Sequence, residues 1–199
     1  MEKLFLSEIA SRIDKVVSLG LSSLLKTHGF RKSGRTWHKV VGDDWQIVNV
    51  QASTGNSGEQ GKFAVNLGVY CAQVAALAGE GKPQGAPKEP DATVRKRLGV
   101  LAHEYDHWWA VGPTTNLDEI ASDVVAKMQA LGLSWLDAHL DIARVAASLE
   151  KSPSLLSFAA AWLASGKNEA RRRLEVAMAS RPAAKDYFSA WALKSGLLE

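Results

Sequence analysis

The hydrophobic pattern of this chain changes period along its length, and that change constrains the fold more than any other feature. Residues 9–24 carry isoleucine, valine and leucine at helical spacing, which is typical of an amphipathic helix. From Thr36 to Cys71, apolar and polar residues alternate in three runs, separated by the turn residues 42–44 and the loop 54–58. The sequence therefore predicts an N-terminal helix followed by an antiparallel meander of three strands, with one face on the core.

Helical spacing returns in the second half of the chain. Residues 78–90 are rich in glycine and proline and are expected to form a flexible surface loop. Residues 95–101 and 107–111 are predicted as further strands, with a short helix as the open alternative for the first. Asn116 to Glu119 resembles a capping box for a helix that Gly132 is expected to end, the first of four or five short helices. The expected fold class is α+β, an antiparallel sheet with an N-terminal helix and a C-terminal run of short helices.

Length and composition bound the class of protein. A chain of 199 residues is long enough for one domain with a sizeable core. We expect residues 1–115, the helix plus the antiparallel sheet core, and residues 116–199, a helical part packed on it, to form that single domain. The sequence has one cysteine, and its start has no uninterrupted apolar stretch of the kind that a secretory signal needs. Its apolar runs are also well short of the about 20 residues that a membrane span requires. These features predict a cytoplasmic protein with no membrane partner.

Five strings of residues occur in a fixed order along the chain. They are His28–His38, Val48–Ser53, Phe63–Tyr70, Arg97–Gly99 and Trp108–Trp109. Together they resemble the bacterial domain-of-unknown-function 4304 family, over the region from Leu4 to Leu140. The resemblance implies boundaries for the fold, and it implies no activity, cofactor or partner.

Strand parity places a set of polar side chains on one face of the predicted sheet. If Val48 and Val50 face the core, the opposite face carries hydrogen-bonding side chains: His38, Asn49, Gln51, Ser53, Asn66 and Tyr70, joined by Thr36 in some registers. Amides are poor strand formers, and they offer both donors and acceptors. We predict that this face binds a ligand or a partner. The alternatives are an ordinary solvated face, or one whose polar groups bond to backbone beneath the helical tail.

Two adjacent tryptophans, Trp108 and Trp109, lie in a predicted strand. Successive side chains of a strand point to opposite sides, so the two indoles are expected on different faces. One of them is therefore a candidate anchor for a partner, while the other packs in the core.

The string His103-Glu104-Tyr105-Asp106-His107 matches the pattern His-Glu-x-x-His. On a helix, this spacing puts two imidazoles on one face for zinc, with the glutamate as general base. The flanking residues suit a turn between strands better, Asp106 is charged where the pattern needs a packed side chain, and no third ligand is plainly placed. A zinc-dependent hydrolase is therefore the alternative hypothesis, and the leading one expects neither a metal nor another cofactor.

Basic clusters and the single thiol complete the candidate sites. Arg95–Arg97 and Arg171–Arg173 could contact phosphate, but consecutive arginines spread around a helix and no aromatic residues interleave with them. The sequence thus argues against nucleic acid as a partner. Cys71 lies on the apolar side of its strand, as a buried structural cysteine does.

The function hypotheses follow from these patterns. The sequence has no nucleophile elbow, no P-loop and no dinucleotide fingerprint, so it favours a non-enzymatic role while leaving the question open. The leading hypothesis is a protein-binding module of the immunity or accessory kind, whose partner is another protein. A zinc-dependent hydrolase is the alternative and a weak nucleic-acid binder the third. The oligomeric state is left open.

Overall fold

The chain begins with a long helical arm. The computed structural model describes residues 2–198, with side chains from residue 8 onward. Helix α1 (Glu2–Val16) passes through a π-helical turn (Val17–Leu21) into α2 (Ser22–Thr27) without a break. Gly29 follows in the left-handed region at φ 85°, a conformation that glycine adopts without strain, and it turns the chain into the sheet.

Six strands form one antiparallel sheet, which confirms the predicted fold class. They are β1 (Arg31–Ser33), β2 (Thr36–Val41), β3 (Asp44–Ala52), β4 (Gly61–Tyr70), β5 (Val94–Arg97) and β6 (Trp109–Val111). The first five are neighbours in chain order, and β6 pairs with β4 at the end that β5 leaves uncovered. Strands β2, β3 and β4 are the predicted meander.

The core lies on one face of the sheet, as the alternation predicted. Val48, Val50, Val65 and Leu67 are buried there against α1 and the C-terminal helices. Side chains from both parts of the chain, including Phe158 of a late helix, belong to the same hydrophobic cluster. The sheet and the helical part therefore share one core.

The region after β5 differs from the strand predicted for residues 95–101. Only Val94–Arg97 is extended, and a short helix, α4 (Leu98–His103), follows it, which is the alternative that the sequence left open. A Cβ on Gly99 would lie 2.3 Å from the carbonyl oxygen of His107, so glycine allows α4 to pack against the returning backbone. That backbone becomes a strand only at Trp109.

Helices occupy most of the remaining chain. Between β4 and β5 the chain forms α3 (Ala72–Ala78) and a 3₁₀ turn (Glu89–Asp91). After β6 come α5 (Leu117–Lys127), a π-helical turn (Met128–Gly132), α6 (Leu133–Ala138), α7 (Ile142–Ser148), α8 (Leu155–Ser165), α9 (Lys167–Ser180), a 3₁₀ turn (Pro182–Ala184) and α10 (Lys185–Ser195). None of the helices within residues 2–198 has both the length and the apolar character that crossing a bilayer requires.

Two helix boundaries show where the sequence signals were right and wrong. Asn116 caps α5 as predicted, because its side-chain oxygen accepts the backbone N–H groups of Asp118 and Glu119. Gly132, by contrast, does not end a helix, and the chain runs on into α6. A Cβ there would lie 2.5 Å from the sulfur of Met128, so this glycine serves close packing.

Candidate functional site

A row of polar side chains crosses the face of the sheet opposite the core. The register pairs Ser33 with Thr36, Thr36 with Asn49, Asn49 with Asn66, and Asn66 with Arg97. Directly paired residues point to the same side of a sheet, so these five side chains, here called the polar row, lie next to one another. Five different strands contribute one residue each.

Hydrogen bonds connect the middle of the polar row. Asn66 is only 4% exposed, and its Nδ2 donates to Oε1 of Gln51 at 2.9 Å and to Oδ1 of Asn49 at 3.4 Å. Asn49 in turn donates from Nδ2 to the hydroxyl oxygen of Thr36 at 2.9 Å. The NH₂ group of this buried amide is therefore satisfied by its neighbours, and it fixes their orientation.

The glycine- and proline-rich segment forms one wall of a cleft above the polar row. The cavity has a volume of about 580 Å³. Its lining consists of Ser33, Thr36, His38, Asn49, Gln51, Arg95 and residues 86–90. We call it the amide cleft, and its size lies in the range of pockets that hold a small ligand or a few peptide residues.

This wall is tied to the sheet at two points. Nε2 of His38 donates to the backbone carbonyl of Pro87 at 2.9 Å, so in the neutral ring Nδ1 remains as an acceptor. Glu89, 8% exposed, accepts from Nε of Arg95 at 2.7 Å and from Nη2 at 2.9 Å. The segment that the sequence predicted as a flexible loop is thus held by a hydrogen bond and by a bidentate ion pair.

Contacts inside the protein occupy most of the acceptors of the amide cleft. Oδ1 of Asn49, Oε1 of Gln51 and the hydroxyl oxygen of Thr36 each accept a hydrogen bond, and the carboxylate of Glu89 accepts two. The Nε2 group of Gln51, the hydroxyl hydrogen of Thr36 and the ammonium group of Lys88 donate to no residue that the structure describes. The hydroxyl group of Ser33 and Nδ1 of His38 can still accept, but the other open groups are donors, which suits carbonyl or carboxylate oxygens.

Two of the six predicted face residues lie away from the cleft. Ser53 follows the last residue of β3, and its hydroxyl group accepts the N–H of Gly55 at 3.2 Å. Tyr70 lies opposite Trp45 at the far end of β4, in a small apolar cluster with Ile47, Ala75 and Ala92. Of the other four predicted residues, His38, Asn49 and Gln51 line the amide cleft, and Asn66 contacts two of them without lining it.

The paired tryptophans separate as the sequence predicted. Trp109 is buried, stacks on Phe63 and donates from Nε1 to Asp123 at 2.8 Å. Trp108 is half-buried, and the guanidinium carbon of Arg97 lies 4.7 Å from the centre of its ring. Since Arg97 is the last member of the polar row, Trp108 stands at the edge of the same polar face.

The two histidines of the His-Glu-x-x-His string converge, but not on one helix. Helix α4 ends at His103, and Glu104 has a left-handed backbone with φ 62°. The imidazole centres of His103 and His107 lie 4.4 Å apart. Burial, followed by the charges of His103 and Lys127, lowers the pKa of His107. Across residues 8–198, no group of three or more His, Cys, Asp or Glu side chains is placed to hold a metal ion.

The single thiol has the surroundings of a structural cysteine. Cys71 is buried in the main core. Burial, together with the nearby charge of Asp44, raises its pKa to about 12. Cys71 is therefore a neutral thiol at physiological pH, whereas a cysteine nucleophile needs a lowered pKa.

The arginines of both basic clusters are engaged within the protein. Arg95 pairs with Glu89, and Arg97 with Asp106. Arg171 donates to a backbone carbonyl, while Arg172 and Arg173 share one carboxylate. A phosphate would have to compete with these contacts.

Sequence patterns did not identify the wall of the amide cleft. The carbonyl of Pro87 carries no sequence signal, since any residue supplies one. Glu89 and Arg95 carry opposite charges close to the start of a predicted strand. This was the only sequence feature that indicated a contact between the wall and the sheet. Ser33 was missed because β1 has only three residues.

Comparison with family models gives a match over the sheet and part of the helical region. A family model described as "Domain of unknown function (DUF4304)" matches residues 21–138, more than half of the chain. Searches of curated proteins and of solved structures found no match. The matched region contains all six strands, the amide cleft and both tryptophans of the paired motif.

Proposed function

The chain belongs to the DUF4304 family, and from the geometry of the amide cleft we propose that it is a non-enzymatic protein-binding module of the immunity or accessory type. In this proposal the cleft receives a segment of a partner protein. The observation that carries it is the set of donors, on Gln51, Thr36 and Lys88, that the hydrogen-bond network leaves for a ligand.

A polypeptide segment matches this set of groups. Every residue of an extended chain presents a carbonyl oxygen, and acidic side chains add carboxylates. Lys88 gives the cleft a further positive charge, since Glu89 already compensates Arg95. The preferred segment is therefore rich in oxygen acceptors and carries a negative charge.

The chemistry of the cleft supports binding rather than proton transfer. Asn49, Gln51 and Asn66 are neutral amides and do not titrate in the physiological range. The one imidazole, His38, donates from Nε2 to the wall of the cleft. These residues orient a ligand, and they contain no nucleophile with an adjacent base.

Bacterial origin and a cytoplasmic location belong to the same proposal. The buried, unpaired thiol of Cys71 suits a reducing compartment, where cysteines remain free. Fractionation of the source cells, followed by detection of the protein with an antibody, tests the location. Recovery from an extracytoplasmic fraction would contradict it.

A matched pair of variants tests the binding role. Gln51→Glu keeps the size of the side chain and replaces two donors in the cleft with a carboxylate, while Gln129→Glu makes the same change on an exposed helical turn. Tagged wild-type protein and both variants are used to capture partners, and the captured protein is then purified and titrated. We expect Gln51→Glu to weaken binding about tenfold or more and Gln129→Glu to leave it unchanged. Equal affinities for all three proteins, or no captured partner, would reject the proposal.

A further inference from the structure

A second cavity lies on the polar face of the sheet, on the other side of the loop that walls the amide cleft. Its volume is about 590 Å³. Trp45 and Tyr70, direct cross-strand partners on β3 and β4, line it together with Ala72 and Ala76 of α3. Ala86 borders both this cavity and the amide cleft. We call the second cavity the aromatic pocket.

The phenol of Tyr70 offers an open hydrogen-bonding group to the aromatic pocket. Tyr70 is 5% exposed, and its hydroxyl group has no hydrogen-bond partner within the part of the chain that the structure describes. The hydroxyl oxygen itself is not fully enclosed, so water or a ligand in the pocket can bond to it. A ligand with a hydrogen-bonding group at the end of an apolar body would take the place of that water.

Carboxylates surround this phenol. Asp43 and Glu80 line the aromatic pocket, and Asp91 joins Glu80 along a smaller neighbouring cavity that Tyr70 also borders. Burial and then the charges of Glu80, Asp44 and Asp91 raise the pKa of Tyr70. The same effects, burial and the charge of Asp91, raise the pKa of Glu80.

Carboxylates outnumber cations among the residues that line the aromatic pocket. Asp43 and Glu80 line it together with the exposed Lys82, which leaves a net negative charge at the rim. The pocket therefore combines an aromatic floor, an open hydroxyl group and a rim of negative charge. An organic cation with an apolar body satisfies all three.

We propose that the aromatic pocket binds a lysine side chain of the partner protein, an inference that rests on the proposed function. The four-carbon stem packs against Trp45 and the alanines, while the ammonium group donates to the phenol oxygen and to the rim carboxylates. A compact ammonium ion suits carboxylates spread around a rim, whereas the planar guanidinium of arginine favours bidentate pairing with one carboxylate. Because Ala86 separates the two cavities, one partner segment can reach both.

The test uses a probe that does not depend on the partner. N-acetyl-lysine N-methylamide and its neutral analogue, N-acetyl-norleucine N-methylamide, are titrated into the full chain while the indole N–H resonance of Trp45 is followed by NMR. Trp45→Phe identifies that resonance among the seven tryptophans. We expect a saturable shift with the lysine probe and about tenfold weaker binding of the norleucine probe. Equal binding of the two probes, or no saturable shift, would overturn the inference.

Charge variants separate this inference from the proposed function. Asp43→Asn with Glu80→Gln removes two rim charges, and Glu59→Gln with Glu175→Gln removes two exposed charges elsewhere. We expect only the first pair of substitutions to abolish the preference for the lysine probe over the norleucine probe. The same pair should weaken the binding of the captured partner about tenfold. If Gln51→Glu weakens partner binding while the rim variants do not, the lysine pocket is rejected and the amide cleft stands. If no partner is captured but the lysine probe binds, the proposed function fails and the pocket remains a lysine-selective site.

Discussion

Asn66, almost completely buried in the middle of β4, donates a hydrogen bond from Nδ2 to Oε1 of Gln51 across 2.9 Å. This bond uses the side-chain oxygen of Gln51 as its acceptor. The NH₂ group of Gln51 therefore remains free to donate to a ligand. Asn66 therefore sets the chemistry of the amide cleft without lining it.

The first prediction concerns this buried amide. Asn66→Leu keeps a similar volume but removes the donor that orients Gln51 and Asn49, so we expect a loss of about 1–2 kcal/mol in the free energy of unfolding. Partner affinity should fall as well, because Gln51 can then rotate its oxygen into the cleft. Urea unfolding and a binding titration measure the two effects. Reduced stability with unchanged affinity would show that Asn66 is structural only.

The second prediction concerns the ion pair that holds the cleft wall. Arg95→Ala leaves the buried carboxylate of Glu89 uncompensated, and we expect a loss of about 1–3 kcal/mol, limited by the partial exposure of Arg95. Adding Glu89→Gln should recover part of this loss, because no buried charge remains. Urea unfolding of both single variants and the double variant gives the coupling energy. Additive effects would mean that the pair does not hold the wall.

A third prediction concerns pH. His139 donates from Nδ1 to the carbonyl of Trp135 at 2.7 Å, so Nε2 accepts the hydroxyl hydrogen of Ser148 at 2.8 Å in the neutral ring. Burial and then the charge of Arg144 lower its pKa, and the bond to Trp135 offsets this only in part.

A lowered histidine pKa means that the unfolded chain binds the proton more readily than the folded one. The free energy of unfolding should therefore fall as the pH drops below the ordinary histidine value of 6.5 towards the lowered one. His139→Gln should flatten this dependence. Urea unfolding between about pH 7.5 and pH 5 measures the slope. An unchanged slope in His139→Gln would contradict the assignment.

The strand pattern revealed the two faces of the sheet because side-chain direction in a strand has a period of two. Val48 and Val50 lie in the core, and Asn49 and Gln51 lie on the opposite face, as their parity required. Parity does not say what covers a face. Ile47 and Tyr70 have the same parity as the amides, yet α3 and the 3₁₀ turn cover that end with Ala75 and Ala92.

Sequence patterns could not predict the wall of the amide cleft, and the reason is physical. The bond between His38 and Pro87 joins residues 49 positions apart, and it uses a backbone carbonyl that every residue has. Gly132 shows the same limit, because a glycine that ends a helix and one that allows close packing look alike in a sequence. Local signals predict local structure, and these contacts are tertiary.

A fourth prediction concerns Trp108 at the edge of the polar face. The ring lies beside Arg97 and Lys62 and is half-buried, so its removal exposes little core. We expect Trp108→Ala to weaken partner binding about tenfold or more, because removing an interface anchor has an effect of this size. The free energy of unfolding should fall by about 1 kcal/mol. Trp109→Ala, in the core, should instead cost about 3–5 kcal/mol. Unchanged partner binding by Trp108→Ala would show that this residue lies outside the interface.

The last prediction separates the binding module from the zinc-dependent hydrolase. Catalytic zinc sites use three protein ligands and structural sites four, whereas His103 and His107 offer two imidazoles on a turn. Glu104, which would act as base on a helix, follows the end of α4 in a left-handed conformation. We therefore expect protein supplied with zinc and then passed through gel filtration to retain well under one equivalent, measured by elemental analysis. One retained equivalent that disappears in His103→Ala with His107→Ala would favour the hydrolase, because only a third ligand arriving by rearrangement of the turn could hold the ion that firmly.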